Sequence, residues 1–325
     1  MRYCLYIIMC VLWSVSVQAE QPLGIVTGPK TGTYYAFGKD IAAIMNKPHI
    51  EIEVKESEGS IDNIKRINSA ENAGVGIVQS DVLGFLSRSK NPDSIKMAEN
   101  LRMIFPFYNE EIHVLARKEV TDFSQLAGKN VSIGEDGSGN MLTAINLLSI
   151  MNVEPKETRK MPPAEAVVAV LKGELDAVIF VGGKPVRLFK NLEDLKLAEN
   201  KKYAGMLDQV HFLPMASPKM LEEYRPAKIT SADYNFVSKP VPTIAVQAVM
   251  VSYSFKGANK ERCGQIKKLS QAIRKNLGEL KTKGHSKWKE VDLDAGSSLW
   301  KKDECAEDVK ADNEKKELLK ILEKK

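Results

Sequence analysis

The chain has 325 residues, of which 43% are hydrophobic and 27% are charged, and its formal net charge is +5. This is the composition of an ordinary globular chain, long enough for two domains of about 100–150 residues each. The positive excess is spread along the sequence, with no basic stripe interleaved with aromatic residues, which argues against a nucleic-acid partner.

The first 19 residues have the pattern of a secretory signal. Arg2 precedes an apolar core over residues 3–15, and Ala19 ends a stretch of small residues suited to signal peptidase. The core is shorter than the roughly 20 apolar residues of a transmembrane anchor. Lipoprotein modification at Cys10 is disfavoured because Met9 precedes it. We predict export to the periplasm with cleavage after Ala19, and loss of Arg2 lowers the net charge from +5 to +4.

An apolar run over residues 23–26 is followed by a glycine-containing turn and an amphipathic segment, which predicts a strand, a turn and a helix. The first N–H groups of such a helix have no partner within it, so a small anion is a natural occupant. Gly24, Gly28 and Lys30 suggest a phosphate-binding P-loop, but that loop needs four residues between its glycines and here there are three. Pro29 also removes a backbone donor. We reject the P-loop.

The same arrangement recurs three times along the chain. Because strands alternate with helices, we predict a mostly parallel α/β sheet, in which ligands bind outside the carboxyl ends of the strands. The four turns therefore predict one cleft. Each turn also has a local alternative, since Ser60 with Asn63 could form only a helix cap, and Gly32 and Gly139 could serve only as turn glycines. The three further turns contain Glu58-Gly59-Ser60, Gln79-Ser80-Asp81 and residues 134–140.

Two long β-type runs, over residues 101–118 and 240–251, lie at the ends of the second α/β unit and predict strands that cross between domains. The chain would then form a domain I from residues 20–112 and 246–262. An inserted domain II would span residues 113–245. This is the organisation of a hinged clamshell. His113, within the first run, fits a core or hinge histidine better than a catalytic base.

Four cysteines occur in the sequence, and Cys4 and Cys10 leave with the signal. An exported chain that keeps only Cys263 and Cys305 is expected to join them in a disulfide. The alternative is a pair of buried thiols. No Cys/His cluster has metal-ligand spacing, so we predict neither a metal nor a cofactor.

Several motifs occur in order over residues 23–253, and together they resemble those of the TAXI proteins, the TRAP-associated extracytoplasmic solute receptors. The tail from Cys263 to Cys305 is similar to a C-terminal extension found in a subset of that family. Two positions depart from the usual pattern: Thr31 stands where Gly is more common and Asn140 where Thr is common. The motifs are residues 31–35, Gly59-Ser60 with Asn63, residues 78–81, 126–129, 131–134 and 137–139.

The resemblance implies a two-domain, type II-like periplasmic-binding-protein clamshell with hinge strands, and a helical extension over residues 263–325 that packs on domain I. It implies a monomeric receptor that closes over a small organic anion and delivers it to the membrane subunit of a TRAP transporter. The family's ligands are glutamate-like amino acids or C4 and C5 dicarboxylates, including 2-oxo acids. The ligand-binding residues that we infer are Gly32, Thr33, Tyr34, Tyr35, Ser60, Asn63, Gln79, Ser80, Asp81, Ser138, Gly139, Asn140, Gly183 and Lys184.

Three of these inferences have alternatives. Asp81 could accept a hydrogen bond from a ligand ammonium, which slightly favours a zwitterion, or it could only cap the next helix. Lys184 could steer anions or stay solvated. A secreted enzyme is disfavoured because Gly137-Ser138-Gly139 is not the Gly-x-Ser-x-Gly elbow of a hydrolase and the four histidines offer few bases. A partner of a sensor kinase or a receptor of an ABC importer remains an alternative that the sequence does not separate from TRAP delivery.

Overall fold

The computed structural model describes residues 21–30, 32–45, 51–69, 73–255, 257–295 and 300–322, and the proposed signal and Thr31 lie outside these ranges. The described residues form ten strands in one mixed sheet and twelve α-helices. None of these helices has the length and apolar character needed to cross a membrane. The strands are β1 (Leu23–Val26), β2 (Ile52–Lys55), β3 (Ala73–Gln79), β4 (Leu101–Arg117), β5 (Asn130–Ser132), β6 (Glu157–Arg159), β7 (Ala177–Gly182), β8 (Val210–Phe212), β9 (Arg225–Ile229) and β10 (Val241–Tyr253).

The helices lie between the strands and after the last of them. Strand–helix alternation through β7 confirms the predicted α/β class. The helices are α1 (Thr33–Met45), α2 (Ser60–Asn68), α3 (Val82–Ser87), α4 (Pro92–Asn100), α5 (Gly139–Met151), α6 (Pro163–Lys172), α7 (Arg187–Lys190), α8 (Lys201–Leu207), α9 (Pro218–Leu221), α10 (Lys260–Lys275), α11 (Leu277–Lys283) and α12 (Glu304–Leu322).

Helix ends follow local chemistry. At the start of α4, the Asn91 side chain accepts a hydrogen bond from the N–H of Asp93, and Pro92 occupies a position whose N–H has no helical partner. Helix α6 ends where Gly173 adopts a φ of 77°, a left-handed conformation that glycine tolerates best. Both end signals, the Asn-Pro pair and the glycine, are visible in the sequence.

The sheet has the order β2-β1-β3-β10-β4-β7-β5-β6, with β8 paired to β4 and β9 paired to β10. We call β1, β2 and β3 with their helices the first half, and β5, β6 and β7 with theirs the second half. Strands within each half pair in parallel, whereas β10 and β4 run antiparallel between the halves. The two long strands predicted over residues 101–118 and 240–251 are present as β4 and β10, which pair with each other, while β10 also pairs with β3 of the first half and β4 with β7 of the second. All of their pairings are antiparallel, so the sheet is mixed and not mostly parallel as predicted.

Strands β4 and β10 change partners at neighbouring positions along their shared ladder. Strand β4 pairs with β10 from Leu101 to Glu111, and with β7 from Glu111 to Ala116. Strand β10 pairs with β9 up to Ala245 and with β3 from Ala248. A buried strand that is shared in this way reads as a nearly continuous apolar run, which is why both could be located from the sequence.

Apolar clusters cover both faces of the sheet. Phe37 of α1 is fully buried over the first half, and Leu147 of α5 is fully buried over the second half. Full burial of such side chains contributes about 1.5–3 kcal/mol each. One residue breaks this division: Leu142 of α5 packs with Val26, Ile64 and Val78 of the first half. The beginning of α5 is therefore in direct contact with the opposite half.

The C-terminal extension packs on the first half. Ile266 and Leu269 of α10 and Trp288, in a 3-10 helix over Ser286–Glu290, join the cluster that contains Phe37. A disulfide joins Cys263 to Cys305, as predicted. The end of α12 is solvated, since Leu318, Leu319, Ile321 and Leu322 are all exposed.

Candidate functional site

The starts of α2 and α5 face each other across the two halves. A Cβ atom added to Gly59 would lie 3.5 Å from the backbone nitrogen of Gly139, and one added to Gly139 would lie 2.9 Å from Oγ of Ser60. Gly59 has a φ of 120°, so a side chain there would also be strained. Two helix starts in contact concentrate partial positive charge and free N–H groups at one point, which suits a small anion.

Gln79 occupies the space between these helix starts. Its side chain is buried, and its amide oxygen would collide with a Cβ atom at Gly139. Its backbone N–H donates to Oγ of Ser60 at 3.0 Å, which ties the end of β3 to the start of α2. Gly59, and not Ser60, is the N-cap of α2, so the capping role considered for Ser60 is wrong.

Asp81 binds the second half through its side chain. Its Oδ2 accepts hydrogen bonds from the hydroxyls of Thr143 at 2.7 Å and Tyr224 at 3.2 Å, whereas Oδ1 is buried with no donor among the described residues. Asp81 stands at the N-cap position of α3 but makes no side-chain cap hydrogen bond, so the alternative capping role is wrong. Burial raises the pKa of Asp81 to about 6. An unsatisfied oxygen on this carboxyl can accept from a ligand donor.

A second polar group lies at the start of α1. The hydroxyl of Tyr34 donates to Oε2 of Glu110 at 2.6 Å. Burial, together with the charges of Glu111 and Asp81, raises the pKa of Glu110 to about 8, so this carboxyl is neutral at pH 7. Gly32, Thr33 and Tyr35 are half-buried beside Tyr34.

Tyr108 lies two residues before Glu110 on β4. It is 1% exposed, and its hydroxyl is buried without a hydrogen-bond partner among the described residues. Buried hydroxyls in native proteins normally have a partner. The Thr33 side chain is close enough to lower the pKa of Tyr108 but forms no direct hydrogen bond with the hydroxyl, which leaves this donor available to an acceptor from outside the chain. Burial also raises the pKa of Tyr108 well above its ordinary value, which keeps the hydroxyl a donor.

The C-terminal extension adds a lysine that sequence reasoning missed. Lys287 is 6% exposed, and its Nζ lies 2.6 Å from Oε1 of Glu290 and 3.9 Å from Oε2 of Glu111. Its Cε would lie 2.6 Å from a Cβ atom at Gly183, so the absence of a side chain at Gly183 makes room for Lys287. Gly183 therefore leaves space for the Lys287 side chain and lies in contact with it.

Four further residues of the proposed ligand set also use their side chains within the protein. The amide nitrogen of Asn63 donates to the carbonyls of Thr27 and Ile77, and its oxygen accepts from Ser57. Oδ1 of Asn140 accepts from the N–H of Val181, and Ser138 caps α5. Lys184 binds Asp233 at 3.0 Å through Nζ. The side chains of these four residues are therefore engaged within the protein, as the hydroxyl of Tyr34 is by Glu110.

The backbone gives Ser80 and Lys184 other functions. Ser80 donates its N–H to Gln247, and its Oγ accepts from the N–H of that residue, which joins β3 to β10 beyond their regular pairing. The N–H of Lys184 donates to Oε2 of Glu111 at 3.0 Å. Lys184 thus orients a carboxylate that faces Lys287, although its own ammonium is engaged elsewhere.

His113 is a satisfied core histidine. It is fully buried, with Nδ1 2.9 Å from the carbonyl oxygen of Glu111 and Nε2 2.9 Å from the hydroxyl of Tyr234. The N–H of Val186 donates to the Tyr234 hydroxyl, which leaves that hydroxyl to donate to Nε2. Burial lowers the pKa of His113 to about 3, so the ring is neutral. The prediction that it is a core histidine is confirmed.

The residues that sequence reasoning missed had a weak signal. Glu110 and Glu111 are adjacent carboxylates in the middle of a 17-residue strand that is otherwise almost wholly buried. Because buried charges are rare unless they are paired or functional, that anomaly could have been noticed. Thr143, Tyr224 and Lys287 carry no comparable local signal.

The fold and these polar groups between two sheet halves define a protein of the periplasmic-binding-protein-like α/β class. Residues 25–298 match the NMT1-like family, a periplasmic-binding-protein-like family, and the chain belongs to it.

Solved structures similar to this chain include three proteins of low sequence identity. An ancestral arginine-binding protein bound to arginine is 14% identical, with 83% of this chain and 95% of that chain covered and a TM-score of 0.44. A putative sulfonate-binding protein of an ABC transporter from Methylobacillus flagellatus is 11% identical, with 80% and 70% covered and a TM-score of 0.44. A histidine kinase sensor domain with similarity to periplasmic binding proteins is 12% identical, with 84% and 97% covered and a TM-score of 0.46.

Proposed function

We propose that the protein is an extracytoplasmic solute-binding receptor of a TAXI-type TRAP transporter. It captures a small organic anion, a glutamate-like amino acid or a C4 or C5 dicarboxylate or 2-oxo acid, and delivers it to the membrane subunit. The observation that carries this proposal is the contact between the starts of α2 and α5, which belong to opposite halves of the sheet. A site whose two sides lie on different halves is formed by closure and opened by their separation.

We propose that the two halves are domains I and II, with the hinge near residues 112 and 245. There β4 changes its partner from β10 to β7 of the second half, and β10 changes its partner from β9 to β3 of the first half. The contacts that closure would form are those of Asp81 with Thr143 and Tyr224. The ligand would bind one domain first, and the closed form would be the one recognised at the membrane.

The polar groups support an amino acid among the candidate ligands. A carboxylate fits the free N–H groups at the two helix starts, and each charge-assisted hydrogen bond adds about 1.5–3 kcal/mol. An ammonium fits the unsatisfied Oδ1 of Asp81 and the carboxyl of Glu110. A dicarboxylate carries no donor for Oδ1 of Asp81, although the neutral carboxyl of Glu110 would not repel it.

We propose binding rather than catalysis, because the buried His113 has both ring nitrogens engaged and stays neutral. Export to the periplasm, after cleavage at Ala19, follows from the leader pattern and is part of the same proposal. The second candidate from the sequence, a partner of a sensor kinase or of an ABC importer, would use the same cleft. A neighbouring gene for a fused TRAP membrane subunit would favour the TRAP receptor over this second candidate.

The test is thermal unfolding of the protein after unfolding and refolding to remove any ligand, against amino acids, dicarboxylates, 2-oxo acids and sugars. A ligand at a hundred times its dissociation constant adds about 2.7 kcal/mol to the free energy of unfolding. We expect a shift with one class of acid and none with sugars. Gln79→Ala should weaken that binding, and the exposed Gln209→Ala is the matched control. Equal binding by both variants would show that the cleft is wrongly assigned.

A further inference from the structure

The C-terminal extension holds Lys287 in a fixed place. Its neighbour Trp288 is fully buried and stacks on Phe37 of α1 with ring centroids 4.2 Å apart. The indole N–H donates to Oδ2 of Asp40 at 2.8 Å, and the N–H of His285 donates to the same oxygen. Because His285 and Trp288 are both anchored to α1, the helix that presents Tyr34 also sets the position of Lys287.

Lys287 is a buried cation whose ammonium has N–H donors that are not used in hydrogen bonds among the described residues. An ammonium has three N–H donors, and only Glu290 lies within hydrogen-bond distance among the described residues. Glu111, at 3.9 Å, forms an ion pair without a short hydrogen bond. Burying an ammonium is unfavourable unless it is paired and hydrogen-bonded. Two carboxylates already pair with Lys287, and its remaining N–H donors are available to a further acceptor.

The nearest aromatic ring carries a second unused donor. Lys287 Nζ lies 5.9 Å from the centre of the Tyr108 ring, and a Cβ atom at Gly183 would lie 3.3 Å from Cε2 of that ring and 3.4 Å from Nζ. The Tyr108 hydroxyl has no partner among the described residues. Gly183 follows β7 of the second half, so separation of the halves would uncover both the phenol and the ammonium.

We propose that Lys287 and Tyr108 form an anion-binding subsite that holds an acid group of the ligand. This inference rests on the proposed receptor function and makes the extension part of the binding site. A carboxylate supplies the two acceptors that an ammonium and a phenol hydroxyl require, and the bonds are charge-assisted in a site with little water. The acid group would lie near carboxyls that are already engaged: Glu111 and Glu290 pair with Lys287, and Oε2 of Glu110 accepts from Tyr34.

The experiment is isothermal titration calorimetry of the refolded protein with L-glutamate, succinate, 2-oxoglutarate and the neutral L-glutamine. Lys287→Met and Tyr108→Phe should each weaken binding of the acid that binds wild type by about tenfold or more, or ~1.4 kcal/mol. Lys289→Met is the matched control, because Lys289 is exposed in the same 3-10 helix, and it should bind like wild type.

The Tyr108→Phe variant separates a ligand role from a structural one. It removes a buried hydroxyl that has no partner, so without ligand its melting temperature should equal or exceed that of wild type. If Lys287→Met fails to fold, Tyr108→Phe decides alone. Binding within about twofold of wild type by Tyr108→Phe would overturn the subsite and leave the receptor function standing. If no acid binds wild type, both proposals are overturned.

Discussion

Glu110 should make the stability of the protein fall as pH rises. Its pKa is about 8 in the folded protein against 4.5 for a free side chain, because burial and the charges of Glu111 and Asp81 disfavour ionisation. Between these two values the unfolded chain has released the proton while the folded chain retains it, so raising the pH favours unfolding. The stability that the protonated Glu110 contributes is fully present below pH 4.5 and is lost above pH 8.

The substitution Glu110→Gln isolates this effect. Glutamine has nearly the same shape and keeps an oxygen that accepts from Tyr34, but it does not titrate. The side chain is 6% exposed, so solvent screening is small. Each unit of pKa difference corresponds to about 1.4 kcal/mol, so at pH 9 the ionised carboxylate lowers the free energy of unfolding by about 5 kcal/mol relative to the protonated one.

The assay is urea unfolding of wild type and variant at pH 5, 6, 7 and 8. We expect the difference in free energy of unfolding between variant and wild type to grow by about 1.4 kcal/mol per pH unit in this range. A difference that does not vary with pH would show that Glu110 is ionised in the folded protein, and the account of its burial would be wrong.

Three further changes test closure and the packing of the extension. Gly139→Ala should separate the halves, because its Cβ collides with the Gln79 amide oxygen. Small-angle X-ray scattering with ligand should then show a larger radius of gyration than for wild type. Gly264→Ala is the control, because a Cβ atom there meets open space, and this variant should close like wild type. Cys263→Ser opens a loop of 42 residues and should lower the free energy of unfolding by about 4 kcal/mol; equal stability of wild type with and without reductant would contradict this. Trp288→Ala should cost about 3–5 kcal/mol in urea unfolding, since the indole is fully buried, and a loss below about 1 kcal/mol would refute its anchoring role.

Much of the fold was predictable because its signals are local. Glycine turns after apolar runs located the starts of α2 and α5, and the long apolar runs located β4 and β10. The disulfide followed from the cysteine count in a chain with a leader pattern, and His113 was correctly interpreted as a core residue. Each of these depends on the period of hydrophobic residues or on turn chemistry within a few positions.

The candidate site was predictable only in part. Motif matching found Tyr34, Ser60 and Gln79, which the fold brings into one buried group. It also named Asn63 and Asn140, whose side chains turned out to bind backbone atoms of their own half. A polar residue near a strand end has the same appearance in sequence whether it holds a ligand or a neighbouring strand.

The sequence by itself determined the alternation of strands and helices, the two long strands β4 and β10, and the disulfide of the C-terminal extension. Only the tertiary structure decided which polar groups meet. Tyr34 and Glu110 are 76 positions apart, and Lys287 reaches Glu111 from the far end of the chain. Hydrophobic period and turn residues act over a few positions, whereas these encounters depend on the strand order of the sheet, on contact between its halves and on where the extension packs.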